Sequence, residues 1–117
     1  MKGRSVGPVV SRATFLALRR PAGRSRQGPL HVRWVPLPGD NDEVQVSYVI
    51  SKRCGNAVRR NRIRRRTKGA IALISQGIPA GAYLITTEAE VATMHFQELV
   101  ERVTSALARA GGSEVRP

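Results

Sequence analysis

The segment VQVSYVISKRCGNAVRRNRIRRRTKGAIALISQGI, Val44 to Ile78, decides the fold. It opens with an alternation. Val44, Val46, Tyr48 and Ile50 fall on one side of an extended chain, and Ser47, Val49 and Ser51 on the other, the period-2 pattern of a half-buried strand. Gly55 and Asn56 break that strand, and the Asn56 side chain suits the N-cap of a helix. Beyond it Ile63, Thr67, Ala70, Ile71, Ile74 and Ile78 recur at helical spacing, so the helix packs by one apolar stripe. Gly77 and Pro79 end it. A strand feeding an amphipathic helix calls for a sheet with helices laid against it, an α+β arrangement.

The flanks complete the pattern. Leu30, Val32 and Trp34 alternate with His31 and Arg33, predicting an earlier strand, and Pro36 to Asp42 (PLPGDND) is a connection full of turn formers. Two strands this close are most simply a hairpin, although the link is long for one. Ser11 is placed to cap a helix running to about Arg20, with Phe15 and Leu18 on one side and Pro21 and Gly23 ending it. Gly23 to Pro29 is polar, basic and turn-rich. Residues 1–10, with Gly3, Gly7 and Pro8, read as a flexible N-terminal arm. After the central helix, Tyr83 to Thr87 predicts a third strand. Thr93 then caps a last helix that turns Phe96, Leu99, Val100, Val103 and Leu107 inward. Residues 111–117 read as a disordered tail. The predicted order is α-β-β-α-β-α, a two-layer α/β sandwich over residues 11–110.

Charge sets the class of partner. The 117 residues hold 20 Lys and Arg against 8 Asp and Glu, a formal +12. A field of that sign attracts polyanions, either nucleic acid or an anionic membrane surface. Arg exceeds Lys by 17 to 3, and its planar fork suits phosphates and bases. No stretch approaches the roughly 18 apolar residues of a membrane span, and no membrane partner is expected. The single cysteine, Cys54, cannot form an intramolecular disulfide, which suits a reducing, cytoplasmic setting.

The charge is also concentrated. Of the seventeen residues from Lys52 to Lys68, nine are basic: Lys52, Arg53, Arg59, Arg60, Arg62, Arg64, Arg65, Arg66 and Lys68. No acid occurs between Val44 and Thr87. On a helix the arginines spread around everything except the apolar stripe, apart from Arg60, which lies within it near the helix start. Like charges at i,i+3 and i,i+4 destabilise an isolated helix by a few tenths of a kcal/mol per pair, roughly. A phosphate backbone removes that cost. Charge alone leaves open a solvated face, a ribosomal-type protein and a DNA-compacting protein.

Residue order narrows this. Ser51-Lys52-Arg53-Cys54-Gly55-Asn56-Ala57-Val58-Arg59-Arg60-Asn61-Arg62-Ile63-Arg64-Arg65 resembles the signature of the bacterial ribonuclease P protein family, and the element order agrees from about Ser11 to Ala110. The resemblance implies a ribosomal protein S5 domain 2-like fold with a left-handed β-α-β crossover through the basic helix, against the right-handed rule that holds in about 98% of cases. It implies a ribonucleoprotein that removes the 5′ leader of precursor tRNA, with Mg²⁺ bound mainly by the RNA subunit, which does the chemistry. The partners implied are ribonuclease P RNA and precursor tRNA, and no protein oligomer is required. Carried onto this chain, Lys52, Arg53, Asn56, Arg59, Arg60, Asn61, Arg62, Arg64, Arg65 and Lys68 would bind the catalytic RNA. Asn61 either bonds to RNA or braces neighbouring arginines. Phe15, Arg19, His31, Arg33, Val49 and Ser51 would bind the leader, although Phe15 also suits a core position. Arg19 stands where the family usually has a second aromatic, Glu88 where many members have a basic residue, and Gln45 and Ser47 replace a common Arg and Gly. The alternative is a stand-alone basic RNA-binding or ribosomal-type protein without a processing role.

No self-contained catalytic set is expected. Asp40, Asp42 and Glu43 fall in a turn, Glu88 and Glu90 near a strand end, and His31 and His95 have no zinc-ligand spacing. Cys54 lies next to Arg53 without a base placed beside it, so a small buried side chain is the expected role.

Overall fold

The computed structural model describes residues 6–39 and 42–111. Five strands form one sheet: β1 (Val6–Pro8), β2 (Gly23–Gln27), β3 (Leu30–Val35), β4 (Val44–Ile50) and β5 (Gly81–Thr87). Three helices accompany them: α1 (Arg12–Ala17), α2 (Ala57–Ile74) and α3 (Phe96–Ala110). Within this set the predicted α-β-β-α-β-α order is preserved as α1-β3-β4-α2-β5-α3.

The sheet order is β1-β4-β5-β3-β2, and it corrects the expected hairpin. β3 and β4 do not pair. β5 lies between them, antiparallel to β3 (Val32 opposite Ile85) and parallel to β4 (Val46 opposite Tyr83). The reason lies in β5 itself. Gly81, Ala82, Tyr83, Ile85 and Thr87 are buried and Leu84 and Thr86 half-buried, so it is apolar toward both faces and takes the centre. β4, α2 and β5 thus form a parallel β-α-β unit.

Both strands missing from the predicted order are the sheet edges. Residues 6–8, read as part of a flexible arm, pair in parallel with Val44–Val46. Pro8 is tolerated there because an edge strand needs no donor on its outer side. Residues 1–5 lie outside the described residues, as do Asp40 and residues 112–117 of the expected tail. The stretch read as a polar turn, from Gly23, is instead β2, antiparallel to β3. Gly28, at φ 60, turns the chain between them, a conformation that costs glycine little. Arg24 and Arg26 alternate with Ser25, whose hydroxyl donates to the Ala106 carbonyl of α3 at 2.6 Å.

The core lies mainly between one sheet face and the pair α2 and α3. Leu30, Val32, Val44, Val46, Tyr83 and Ile85 from the sheet meet Ile63, Ala70 and Ile71 of α2 and Leu99, Val103 and Leu107 of α3. The predicted stripe of α2 is therefore the buried one. Two helix starts differ in detail. Ser11 caps α1 as expected, accepting from the Thr14 amide at 3.4 Å, but α1 ends at Ala17. His95, not Thr93, occupies the N-cap position of α3, because Thr93 closes a preceding 3₁₀ turn, Ala89–Ala92. Phe96 consequently remains 39% exposed rather than turned inward, and Val100 is half-buried.

The other sheet face is covered at one end only. There α1 seats Leu18 against Val35 and Ala82, with Leu37 and Leu84 beside them. The remainder of that face is open, and this incomplete cover creates the second site described below.

Candidate nucleic-acid interface

The basic segment is held at its base by three devices. After Ser51 the chain makes a 3₁₀ turn, Lys52–Cys54, and buries Cys54, whose thiol donates to the Thr87 carbonyl at 3.6 Å. The cysteine thus ties the turn to the end of β5. Gly55 follows at φ 128, and a Cβ there would strike the Arg59 side chain. Asn56 caps α2 by accepting from the Arg59 amide at 2.9 Å.

Arg60 completes the joint. It is half-buried, and its Nε donates to the Gly55 carbonyl at 3.2 Å. Its position within the apolar stripe is thus used to fasten the helix start to the turn. Asn61 accepts from Arg64 Nη1 at 3.0 Å, a contact that braces this arginine.

Burying Ile63, Thr67, Ala70 and Ile71 aims the rest of α2 at solvent. Lys52, Arg53, Arg59, Arg62, Arg64, Arg65 and Lys68 are all exposed, as are Asn56 and Asn61. Among the described residues none of these cations has a carboxylate partner; the ion pairs lie elsewhere, at Glu88 and between Arg102 and Glu98. Arg66 differs. It is half-buried, donates to the Met94 carbonyl and sits 5.9 Å from the Phe96 ring centroid. That cation–π contact ties α2 to α3, and Arg66 belongs to the packing.

On the uncovered sheet face a groove of about 720 Å³ runs over the strands. His31, Arg33 and Val49 line it, as the alternation of β3 and β4 predicts. Arg33 Nη1 also donates to the Leu18 carbonyl at 3.4 Å, bringing its guanidinium to the end of α1. Ser51, Phe15 and Arg19 do not line the groove. Ser51 is exposed at the start of the turn. Phe15 is 42% exposed on α1, which rules out a core role, and Arg19 is exposed just past it.

Sequence reasoning missed Arg24, Arg26, Leu84 and Thr86, which also line the groove. A signal was present for the first two, since Arg24-Ser25-Arg26 is itself a period-2 pattern. It was concealed by glycines and a proline on either side. One acid enters this cationic surface: Glu88 Oε2 lies 3.0 Å from His31 Nε2 and 3.8 Å from Arg26 Nη2. The groove therefore offers three arginines for phosphates, apolar ground at Val49 and Leu84, and one carboxylate at its end.

A family model described as Ribonuclease P matches residues 8–111. The ribonuclease P protein component of Thermus oshimai is 33% identical over 100 residues, covering 85% of this chain and 61% of that protein. The Brucella suis component is 33% identical over 112 residues, covering 86% of this chain and 77% of that protein. The chain thus spans somewhat under two thirds of the length of the Thermus relative. Among solved structures, the RNase P protein from Thermotoga maritima superposes with a TM-score of 0.75 at 18% identity, covering 87% of this chain and 96% of that one. The Staphylococcus aureus RNase P protein gives 0.71 at 18% identity, covering 86% and 91%. At that identity the structures speak for the fold.

Proposed function

Because the chain belongs to the ribonuclease P protein family, we propose that it is the protein subunit of the ribonucleoprotein that cuts the 5′ leader from precursor tRNA. The observation that carries this reading is the acid-free, exposed face of α2, built on the Arg60-Asn61-Arg62 order. Its cations neutralise phosphates of the ribonuclease P RNA, releasing counterions and making affinity steeply salt-dependent. Arg60 and Asn56 preserve the shape of the turn from which that face projects, and Asn61 orients Arg64.

The groove takes single-stranded leader. Arg24, Arg26 and Arg33 meet its phosphates while bases lie over Val49 and Leu84. Arg33 leads from the groove to α1, where exposed Phe15 and Arg19 extend the path. Hydrolysis belongs to the RNA subunit. When bound, Mg²⁺ supplies charge compensation at the scissile phosphate, and it is held mainly by the RNA. Among the described residues no three His, Cys, Asp or Glu side chains converge to hold a metal ion. The complex works in the cytoplasm, requires no protein oligomer and needs no membrane; no helix among the described residues is long and apolar enough to cross one.

The test is reconstitution with the cognate ribonuclease P RNA and a precursor tRNA at low Mg²⁺, following leader release. Added protein should raise the rate of cleavage. RNA binding without stimulation would instead identify a stand-alone RNA-binding protein and overturn the processing role.

A further inference from the structure

At the β1 edge of the sheet, on the side covered by α2, lies a second cleft of about 350 Å³. Val6 and Pro8 of β1 and Val46 and Tyr48 of β4 form its apolar floor, and Arg64 and Lys68 of α2 stand at its rim. The cleft exists because β1 pairs beside β4 without extending the full length of that strand, leaving Tyr48 at the end of a short edge.

Three properties of the cleft point to the same ligand. Arg64 and Lys68, at i,i+4, are neighbours on the helix surface and both border the cleft, so it carries two adjacent cations. Neither has a carboxylate partner among the described residues, and the one side-chain bond of Arg64, to Asn61, leaves most of its donors unused. Val6, Pro8, Val46 and the half-buried Tyr48 line the cleft with apolar and aromatic side chains, the kind of ground on which a nucleobase lies, with Ser47 beside them. The volume lies at the lower end of ordinary ligand pockets, about 300–1,000 Å³, and suits one nucleotide rather than a helix of paired RNA.

We propose that this cleft is a nucleotide subsite, taking the base of one unpaired nucleotide of the RNA partner against Val46 and Tyr48 while its phosphate sits between Arg64 and Lys68. The inference rests on the RNA-binding reading above and extends it: α2 does not only attract the backbone, it works with β1 to hold one extruded base.

The experiment measures affinity for the cognate ribonuclease P RNA across a range of KCl concentrations, with circular dichroism as a check on folding. Val6→Trp fills the cleft without altering charge and should weaken binding about tenfold, the scale of one lost base stack, with an unchanged log–log salt slope. Lys68→Gln should instead flatten that slope by roughly 0.7–0.9, the value of one lost phosphate contact. Unchanged affinity in a folded Val6→Trp protein, where wild type binds, overturns the subsite and leaves the RNA-binding reading intact. Failure of wild type to bind overturns both. A second measurement does not depend on the variant folding: in NMR titrations of the wild-type chain, adenosine 5′-monophosphate should shift Val6, Tyr48 and Lys68 together, while inorganic phosphate should shift Lys68 and Arg64 and leave Tyr48 unmoved. Identical responses to the two probes would mean an anion site without a base pocket and would sink the proposal.

Discussion

Arg62 and Arg66 lie one turn apart on α2 and are chemically identical, yet their surroundings give them different work. Arg62 is exposed and has no carboxylate partner among the described residues, whereas Arg66 is half-buried against Phe96 and the Met94 carbonyl. Arg62→Ala should therefore reduce RNA affinity and flatten its log–log salt dependence by at most about 0.9, with the urea midpoint unchanged. Arg66→Ala should do the reverse, costing about 1–2 kcal/mol of stability through the lost cation–π contact and hydrogen bond while leaving the salt slope alone. Measuring slope and midpoint on both proteins checks the pair. Glu88 invites a third substitution. Its carboxylate occupies His31 and Arg26 at the end of the groove and repels phosphate. Glu88→Gln should tighten binding of a precursor with a long leader several-fold, with a steeper salt dependence, and leave leaderless tRNA unaffected. Equal effects on both substrates would remove Glu88 from the leader path.

Elements differ in how plainly the sequence announces them, and the difference is physical. α2 and β4 were legible because each buries one whole face, which writes a period into the chain: Ile63, Thr67, Ala70 and Ile71 in one, Val44 and Val46 in the other. β1 and β2 are edge strands. β2 carries arginines toward the groove and a serine and a glycine toward α3, so no apolar period marks it. The pairing of β3 with β5 rather than β4 was equally hidden, because adjacency in a sheet is decided by which strand is apolar on both faces, not by chain distance. Gly23 shows how little sequence signal such contacts leave. A Cβ at this position would run into the Ala110 carbonyl, so β2 and the end of α3 meet backbone to backbone. Gly23→Ala must push them apart and should cost about 1–3 kcal/mol, the scale of an overpacked contact. A shift in the urea midpoint at constant slope reads this directly, and an unshifted midpoint would mean that the α3 terminus yields freely.

On the scale of the whole molecule, the decisive feature is that one sheet separates two cationic surfaces. α2 lies on one face with its charge turned outward, and the groove lies on the other face, where α1 covers only one end. They approach each other at the C-terminal end of β4, where Val49 lines the groove and Ser51 begins the turn into the basic segment. The residue order from Ser51 to Arg65 revealed the first surface at once. The second was only half legible: His31, Arg33 and Val49 line it as their alternation predicts, Ser51 of the same pattern does not, and its β2 wall left no apolar period to read. If α2 grips the catalytic RNA and the groove grips the leader, substitutions on the two surfaces should act on different steps. Arg62→Ala should weaken assembly with the RNA equally for every substrate. Arg33→Ala should leave assembly unchanged and weaken only substrates with a leader. Arg62 and Arg33 share no partner, so their free-energy effects on leader-bearing substrate should add to within about 0.5 kcal/mol in the double variant. A larger departure from additivity would mean that one continuous stretch of RNA crosses the end of β4 and contacts both surfaces, merging two sites into one.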